Sequence, residues 1–194
     1  MRFFDNAYEG TPTWDIGRPQ GAVVRLAERG GIEGTVLDVG CGTGENALFL
    51  AGLGHGVTGV DFAVAAIERA RRRAVDRAIP AEFIVDDALD LARLERRFDT
   101  ALDVGTFHTL QPHERVRYAA SLASVVRLGG RCFLLCWSDR NPFGRGPERV
   151  ARRDIRAAFR RDWIVESIED EWLETLLPEG RVHAWLATLR RRES

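Results

Sequence analysis

Val36-Leu37-Asp38-Val39-Gly40-Cys41-Gly42-Thr43-Gly44 decides how the chain is read. An apolar run suited to a buried strand enters a turn with glycine at every second position, and residues 45–53 then follow a helical pattern. Strand, glycine turn and helix open a βαβ unit. In doubly wound sheets such a turn lies at the carboxyl ends of the strands, where nucleotide-like ligands bind.

Outward from that stretch, residues 56–62 form a second strand. Residues 63–78 form a helix, with Val64, Ile67, Ala70, Ala74 and Val75 facing inward and Arg71, Arg72 and Arg73 in solvent. Residues 81–85 and 99–104 read as the third and fourth strands. A helix opens at Pro112 and runs to about Leu128, closed by Gly129-Gly130. Residues 131–137 are an apolar fifth strand, 138–147 a loop and 148–161 an amphipathic helix. Residues 163–168 and 182–189 are the last strands, an antiparallel pair at the sheet edge. Strands separated by helices imply an α/β doubly wound sheet with helices on both faces. One domain is expected, with 1–34 as a helical cover and 35–194 as the core.

The turn's spacing selects its ligand. A dinucleotide fingerprint, GxGxxG, requires a third glycine where this chain has Glu45; the spacing here is GxGxG. Asp38, two residues before Gly40, would repel a pyrophosphate but accepts from an ammonium group. S-adenosylmethionine has an amino-acid end and a sulfonium, which suits that acid. Asp61, ending the second strand, is placed to accept from ribose hydroxyls or to cap the following helix, and Phe62 to lie against adenine. Asp86-Asp87-Ala88 ends the third strand, where a carboxylate accepts from the adenine amine or solvates a turn. Asp103-Val104-Gly105-Thr106-Phe107-His108 ends the fourth, near the ligand's reactive end. His108 there is a general base, a pocket wall or a structural histidine.

In this order of elements the chain resembles the class I S-adenosylmethionine-dependent methyltransferases, over roughly residues 10–190. The resemblance implies a Rossmann-like seven-stranded sheet of order 3-2-1-4-5-7-6 with strand 7 antiparallel. It also implies S-adenosylmethionine as cofactor and S-adenosylhomocysteine as product. The family's cofactor positions fall on Asp38, Gly40, Cys41, Gly42, Gly44, Asp61, Phe62, Asp87, Ala88, Asp103 and Val104. Tyr8 to Gln20 resembles a segment of the thiopurine, thiol and halide methyltransferase group that closes over the cofactor, which assigns cofactor contact to Trp14. Trp14, Phe107, His108 and Phe143 are the expected substrate pocket, with Phe3, Phe4 and Trp172 as further walls; Arg18 is the arginine of interest.

Composition narrows the partners. The 194 residues carry 28 basic and 29 acidic side chains, and every basic one is Arg. A charge of -1 disfavours nucleic acid or an anionic membrane surface as partner. Without Lys there is no Lys Schiff base and no P-loop lysine. The D/N-P-P-F/Y motif of exocyclic-amine nucleic-acid methyltransferases is absent after strand four; Asn141-Pro142-Phe143 stands after strand five instead. Three Cys and four scattered His give no disulfide framework and no metal spacing. No leader or membrane span is visible, so a cytoplasmic location is expected. The expected reaction is methyl transfer by in-line displacement to S, O or N of a small thiol, phenol or heteroaromatic acceptor, carried mostly by placement and desolvation. A nicotinamide-dependent oxidoreductase and a non-catalytic cofactor-binding module are the alternatives.

Overall fold

The computed structural model describes residues 7, 8, 10–142, 144 and 146–193. Phe3, Phe4 and Phe143, expected pocket walls, lie outside the described residues. Seven strands form one sheet in the order β3-β2-β1-β4-β5-β7-β6. They are β1 (Val36–Val39), β2 (Val57–Asp61), β3 (Glu82–Val85), β4 (Phe98–Val104), β5 (Val126–Trp137), β6 (Trp163–Glu174) and β7 (Arg181–Arg191). β1 to β5 pair in parallel, and β7 runs antiparallel to both β5 and β6. The helices are α1 (Gly21–Glu28), α2 (Glu45–Gly52), α3 (Val64–Asp76), α4 (Arg115–Val125) and α5 (Arg152–Ala158).

Every residue of β1 and β2 is buried, which explains their unbroken apolar character. Two apolar layers result. One holds Val36, Leu48, Leu50, Ile67 and Phe83, under α2 and α3. The other holds Leu134, Tyr118, Leu122, Phe159 and Trp163, under α4 and α5.

Several expected elements differ. The helix opened near Pro112 stops at Val125, and Gly129 and Gly130 belong to β5. A Cβ on Gly130 would lie 2.7 Å from the Asp99 carbonyl oxygen. These glycines therefore serve the irregular register between β4 and β5, where Val126 pairs with Phe98 and Arg131 with Thr100. The helix expected over 148–161 is only α5, because Val150 bridges to Ser138 and donates its N–H to the Trp137 carbonyl. Most of 169–181 is strand: β6 and β7 form a long hairpin turned by residues 175–180. In α3 the inward face is Ala66, Ile67, Ala70 and Ala74, while Val64 and Val75 are exposed.

Candidate active site

The glycine turn is tied to both neighbouring strand ends. Gly40, Gly42 and Gly44 all have positive φ (67°, 53° and 84°), which L side chains rarely adopt. Gly40 and Cys41 N–H groups donate to the Val60 carbonyl at 2.7 and 3.0 Å. On the other side a Cβ on Gly40 would fall 1.8 Å from Thr106 Oγ1, which donates to the Val39 carbonyl. Glycine is required there because the segment after β4 packs directly on the turn.

Asp38 lies in the middle of buried β1, 1% exposed. Its Oδ2 is buried without a hydrogen-bond partner. Burial, and then the charges of Asp103 and Asp61, push its pKa up to about 7. An orphaned carboxylate oxygen held among other carboxylates is an incomplete site for a cation.

Asp61 is almost buried and bridges two backbone segments. Its Oδ2 accepts from Gly42 N–H and its Oδ1 from Ala63 N–H, each at 2.9 Å. Asp61 thus caps α3 and braces the glycine turn at once, one oxygen for each. Phe62 is half-buried beside Tyr8, Ala63 and Ala66. Asp87 is exposed and caps the 3-10 turn 88–94 through Leu89 N–H at 2.9 Å, with Ala88 half-buried next to it.

The N-terminal segment closes on this face. Tyr8 is buried, and its hydroxyl would meet a Cβ on Gly42 at 2.9 Å. Trp14 stands edge-on to Tyr8 and donates Nε1–H to that hydroxyl at 3.1 Å. Burial, with Asp61 next in weight, pushes the Tyr8 phenol well above its usual range, so it stays neutral. Arg69 donates to the Tyr8 and Gly10 carbonyls. Arg73 reaches Asp15 (3.3 Å), Glu45 (3.0 Å) and Thr43. Arg71 donates to the Phe83 carbonyl at 2.7 Å. Arg71 and Arg73, expected in solvent, thus bind α3 to β3, the glycine turn and the N-terminal segment. Arg18 forms a two-pronged pair with Glu174 at 3.0 and 2.8 Å, anchoring the segment to β6.

The end of β4 corrects several expectations. Asp103 is fully buried and accepts from Thr106 N–H (2.8 Å), Phe107 N–H (3.1 Å) and Tyr118 O–H (2.6 Å). It shapes the turn after β4, where Val104 is half-buried. Phe107 is fully buried against Tyr118 and Phe159, so it is core and not a pocket wall. Trp172 packs on His183 across the β6–β7 hairpin, with Arg181 over its ring. His108 Nδ1 accepts from Trp137 N–H at 3.1 Å. A backbone amide only donates, so Nδ1 is unprotonated and Nε2 carries the ring proton. Burial, then the charges of Arg115 and Arg149, push the His108 pKa down to about 3. The one lone pair of a neutral imidazole in this tautomer, on Nδ1, is taken up by the Trp137 N–H, which argues against the general-base assignment.

The family profile described as a methyltransferase domain matches residues 36–130. A curated protein from Mycobacteroides abscessus, named 2-heptyl-1-hydroxyquinolin-4(1H)-one methyltransferase, is 32% identical over 85% of this chain and 78% of its own length. The chain belongs to the class I S-adenosylmethionine-dependent methyltransferases. A solved structure described by the conversion of a disulfide bond into a thioacetal group during echinomycin biosynthesis is 37% identical, with a TM-score of 0.91 over 100% of this chain and 92% of that one. Magnesium protoporphyrin IX methyltransferase from Synechocystis, solved with bound S-adenosylmethionine, shares the fold at 21% identity, TM-score 0.68, over 88% of this chain and 76% of that one.

The methyltransferase cofactor is S-adenosylmethionine, and the residues present fit it. Unpaired Asp38 Oδ2, two residues before Gly40 of the glycine turn, is an acceptor for a cationic amino-acid end. This replaces the nicotinamide alternative. Tyr8, Arg69, Arg73 and Thr106 also brace this candidate site; the sequence pattern places Arg73 in solvent and gives the other three no role of their own. Tyr8 lies within the N-terminal motif, so its aromatic ring was a usable signal. Nothing local distinguishes Arg69 and Arg73 from the other arginines of α3, because their partners are distant in sequence.

Proposed function

We propose that this methyltransferase acts on a small acceptor and methylates a heteroatom of a phenol, thiol or hydroxylated heteroaromatic compound. The supporting observation is how its mouth is closed. The N-terminal segment is pinned to the hairpin by Arg18–Glu174 and by Leu176 N–H donating to the Thr13 carbonyl at 2.7 Å. The loop after β5 is pinned to β7 by Asn141, which exchanges hydrogen bonds with the His183 backbone at 2.6 and 2.9 Å. Two short segments on a single sheet suit a small guest, whereas a nucleic acid needs a broad basic face.

When bound, S-adenosylmethionine supplies an electrophilic methyl group on a sulfonium. The chain's own contribution is placement. Asp38 binds the amino-acid end, Asp61 the ribose, Phe62 the adenine face and Asp87 with Ala88 the adenine edge. Tyr8 and Trp14 cover the turn and exclude water. The relatives support a heteroatom acceptor: one is named for a 1-hydroxyquinolinone, the other is described by chemistry at a disulfide. The resemblance of Tyr8–Gln20 to the thiopurine and thiol group points the same way. We read residues 1–194 as one cytoplasmic unit; the buried, unpaired Cys41, Cys132 and Cys136 suit a reducing compartment. Among the described residues no helix is long and apolar enough to cross a membrane.

The test is a screen of thiols, phenols, hydroxy-heteroaromatics and amines with methyl-labelled S-adenosylmethionine, assigning the atom that gains the label. Transfer confined to a protein or nucleic-acid fraction would overturn the reading.

A further inference from the structure

Arg115 opens α4 and is almost fully buried, yet its Nε and Nη2 have no hydrogen-bond partner. Its ion pair with Asp154 is long, 3.9 Å, and that carboxylate's Oδ2 already accepts from Ala151 N–H. A buried guanidinium this poorly paired destabilises the fold. Its guanidinium carbon stands 5.2 Å from the centre of the Phe107 ring, beside His108. A second guanidinium, Arg149, lies 4.6 Å from the Trp137 ring centre, and His108 and Trp137 pack together at 6.3 Å. His108 presents its protonated Nε2 edge to Gly105, where a Cβ would lie 3.7 Å from that nitrogen. The turn after β4, where methyl transfer is proposed to occur, thus carries an N–H donor close to two cations, Arg115 and Arg149. The carboxylates nearby are committed elsewhere: Asp103 to Tyr118 and the turn amides, Asp154 to Ala151 N–H.

Resting on the small-acceptor reading, we propose that His108 is a hydrogen-bond donor that receives the acceptor's nucleophilic atom as an anion, with Arg115 as the positioning residue whose buried charge makes this end selective for acidic, anion-forming acceptors. The acceptor loses its proton to solvent before binding, so no proton has to move at His108. The same arrangement accounts for a reaction centre without a base. It makes ionised hydroxy-heteroaromatics, acidic phenols and thiols the acceptor class and disfavours amines that are cationic at neutral pH.

The test uses protein loaded with S-adenosylhomocysteine and titrated with 4-nitrophenol across pH, where absorbance separates phenol from phenolate. The wild type is expected to bind the phenolate, so that the bound probe ionises at lower pH than the free one. Arg115→Met and His108→Phe should each lose roughly ten- to hundredfold in phenolate affinity, as for a hydrogen bond to a charged group. Neutral 4-nitroanisole should bind all three alike, and His108→Gln, which keeps a donor, should recover part of the loss. Thermal unfolding of Arg115→Met should occur no lower than in the wild type. The inference is overturned if the probe does not bind, binds as the neutral phenol, or keeps its affinity in Arg115→Met. It fails alone if labelled methyl reaches acceptors with no preference for anions. Phenolate binding with no transfer to any small acceptor would sink the functional reading alone.

Discussion

Asp38 and Asp103 lie on paired strands and face opposite layers of the sheet. The register sets Asp38 beside Leu102 and Val39 beside Asp103, so the two acids alternate across the pleat. Asp103 reaches Tyr118 of α4, and the backbone N–H of Ala47 in α2 serves Asp38. Burial pushes Asp103 up to about 6 and Asp38 to about 7, the latter with the charge of Asp103 added.

This pair makes cofactor-free stability fall as pH rises. Both carboxyls are raised above the roughly 4 of an unfolded carboxylate. Their contribution is therefore complete below about pH 4 and is lost as pH climbs through 6 and 7. Thermal unfolding without cofactor should occur at lower temperature at pH 7.5 than at pH 5. Asp38→Asn should flatten the upper part of that slope. A bound cation at Asp38 favours its ionised form, so binding of S-adenosylmethionine should release protons near pH 6.5, measurable by calorimetry in two buffers of different ionisation enthalpy.

Asp61→Ala should weaken S-adenosylmethionine binding by roughly a hundredfold, through loss of contacts to a charged acceptor. Asp61 also holds Gly42 and Ala63 N–H groups, so the variant should be less thermostable as well. Asp61→Asn keeps one acceptor oxygen and should fall between. Wild-type cofactor affinity in calorimetry for both variants would remove Asp61 from the site.

Arg73 and Asp15 pair at 3.3 Å, with Asp15 buried. Arg73→Met should release the N-terminal segment from the glycine turn. The expected result is faster amide hydrogen exchange over residues 10–18 and roughly tenfold weaker cofactor binding, with exchange in β1 and β4 unchanged.

Gly40→Ala should be among the most damaging single changes. It combines a φ of 67° with a Cβ 1.8 Å from Thr106 Oγ1. A loss of roughly 2 kcal/mol or more is expected in denaturant unfolding. Thr106→Ala in the same chain should relieve the clash but not the backbone strain, recovering only part of the loss.

The parallel α/β sheet was legible because its signals are local. Strands such as 36–39 are buried on both faces, so the apolar run and the glycine turn mark themselves without reference to the rest of the chain. The candidate positions Asp38, Asp61 and the three glycines are marked by the same local signals, a strand running into its turn. The strand order had to come by resemblance, because pairing is a long-range choice that strand patterns alone leave open. What only the tertiary structure decided has one physical cause: long-range pairing overrides local pattern. Gly129 and Gly130 look like a helix stop but accommodate β4 in β5. Phe107 looks like a pocket aromatic but is sealed beneath Tyr118 and Phe159. His108 looks like a base, yet an N–H donated from Trp137, 29 residues away, sets its tautomer and makes it a donor.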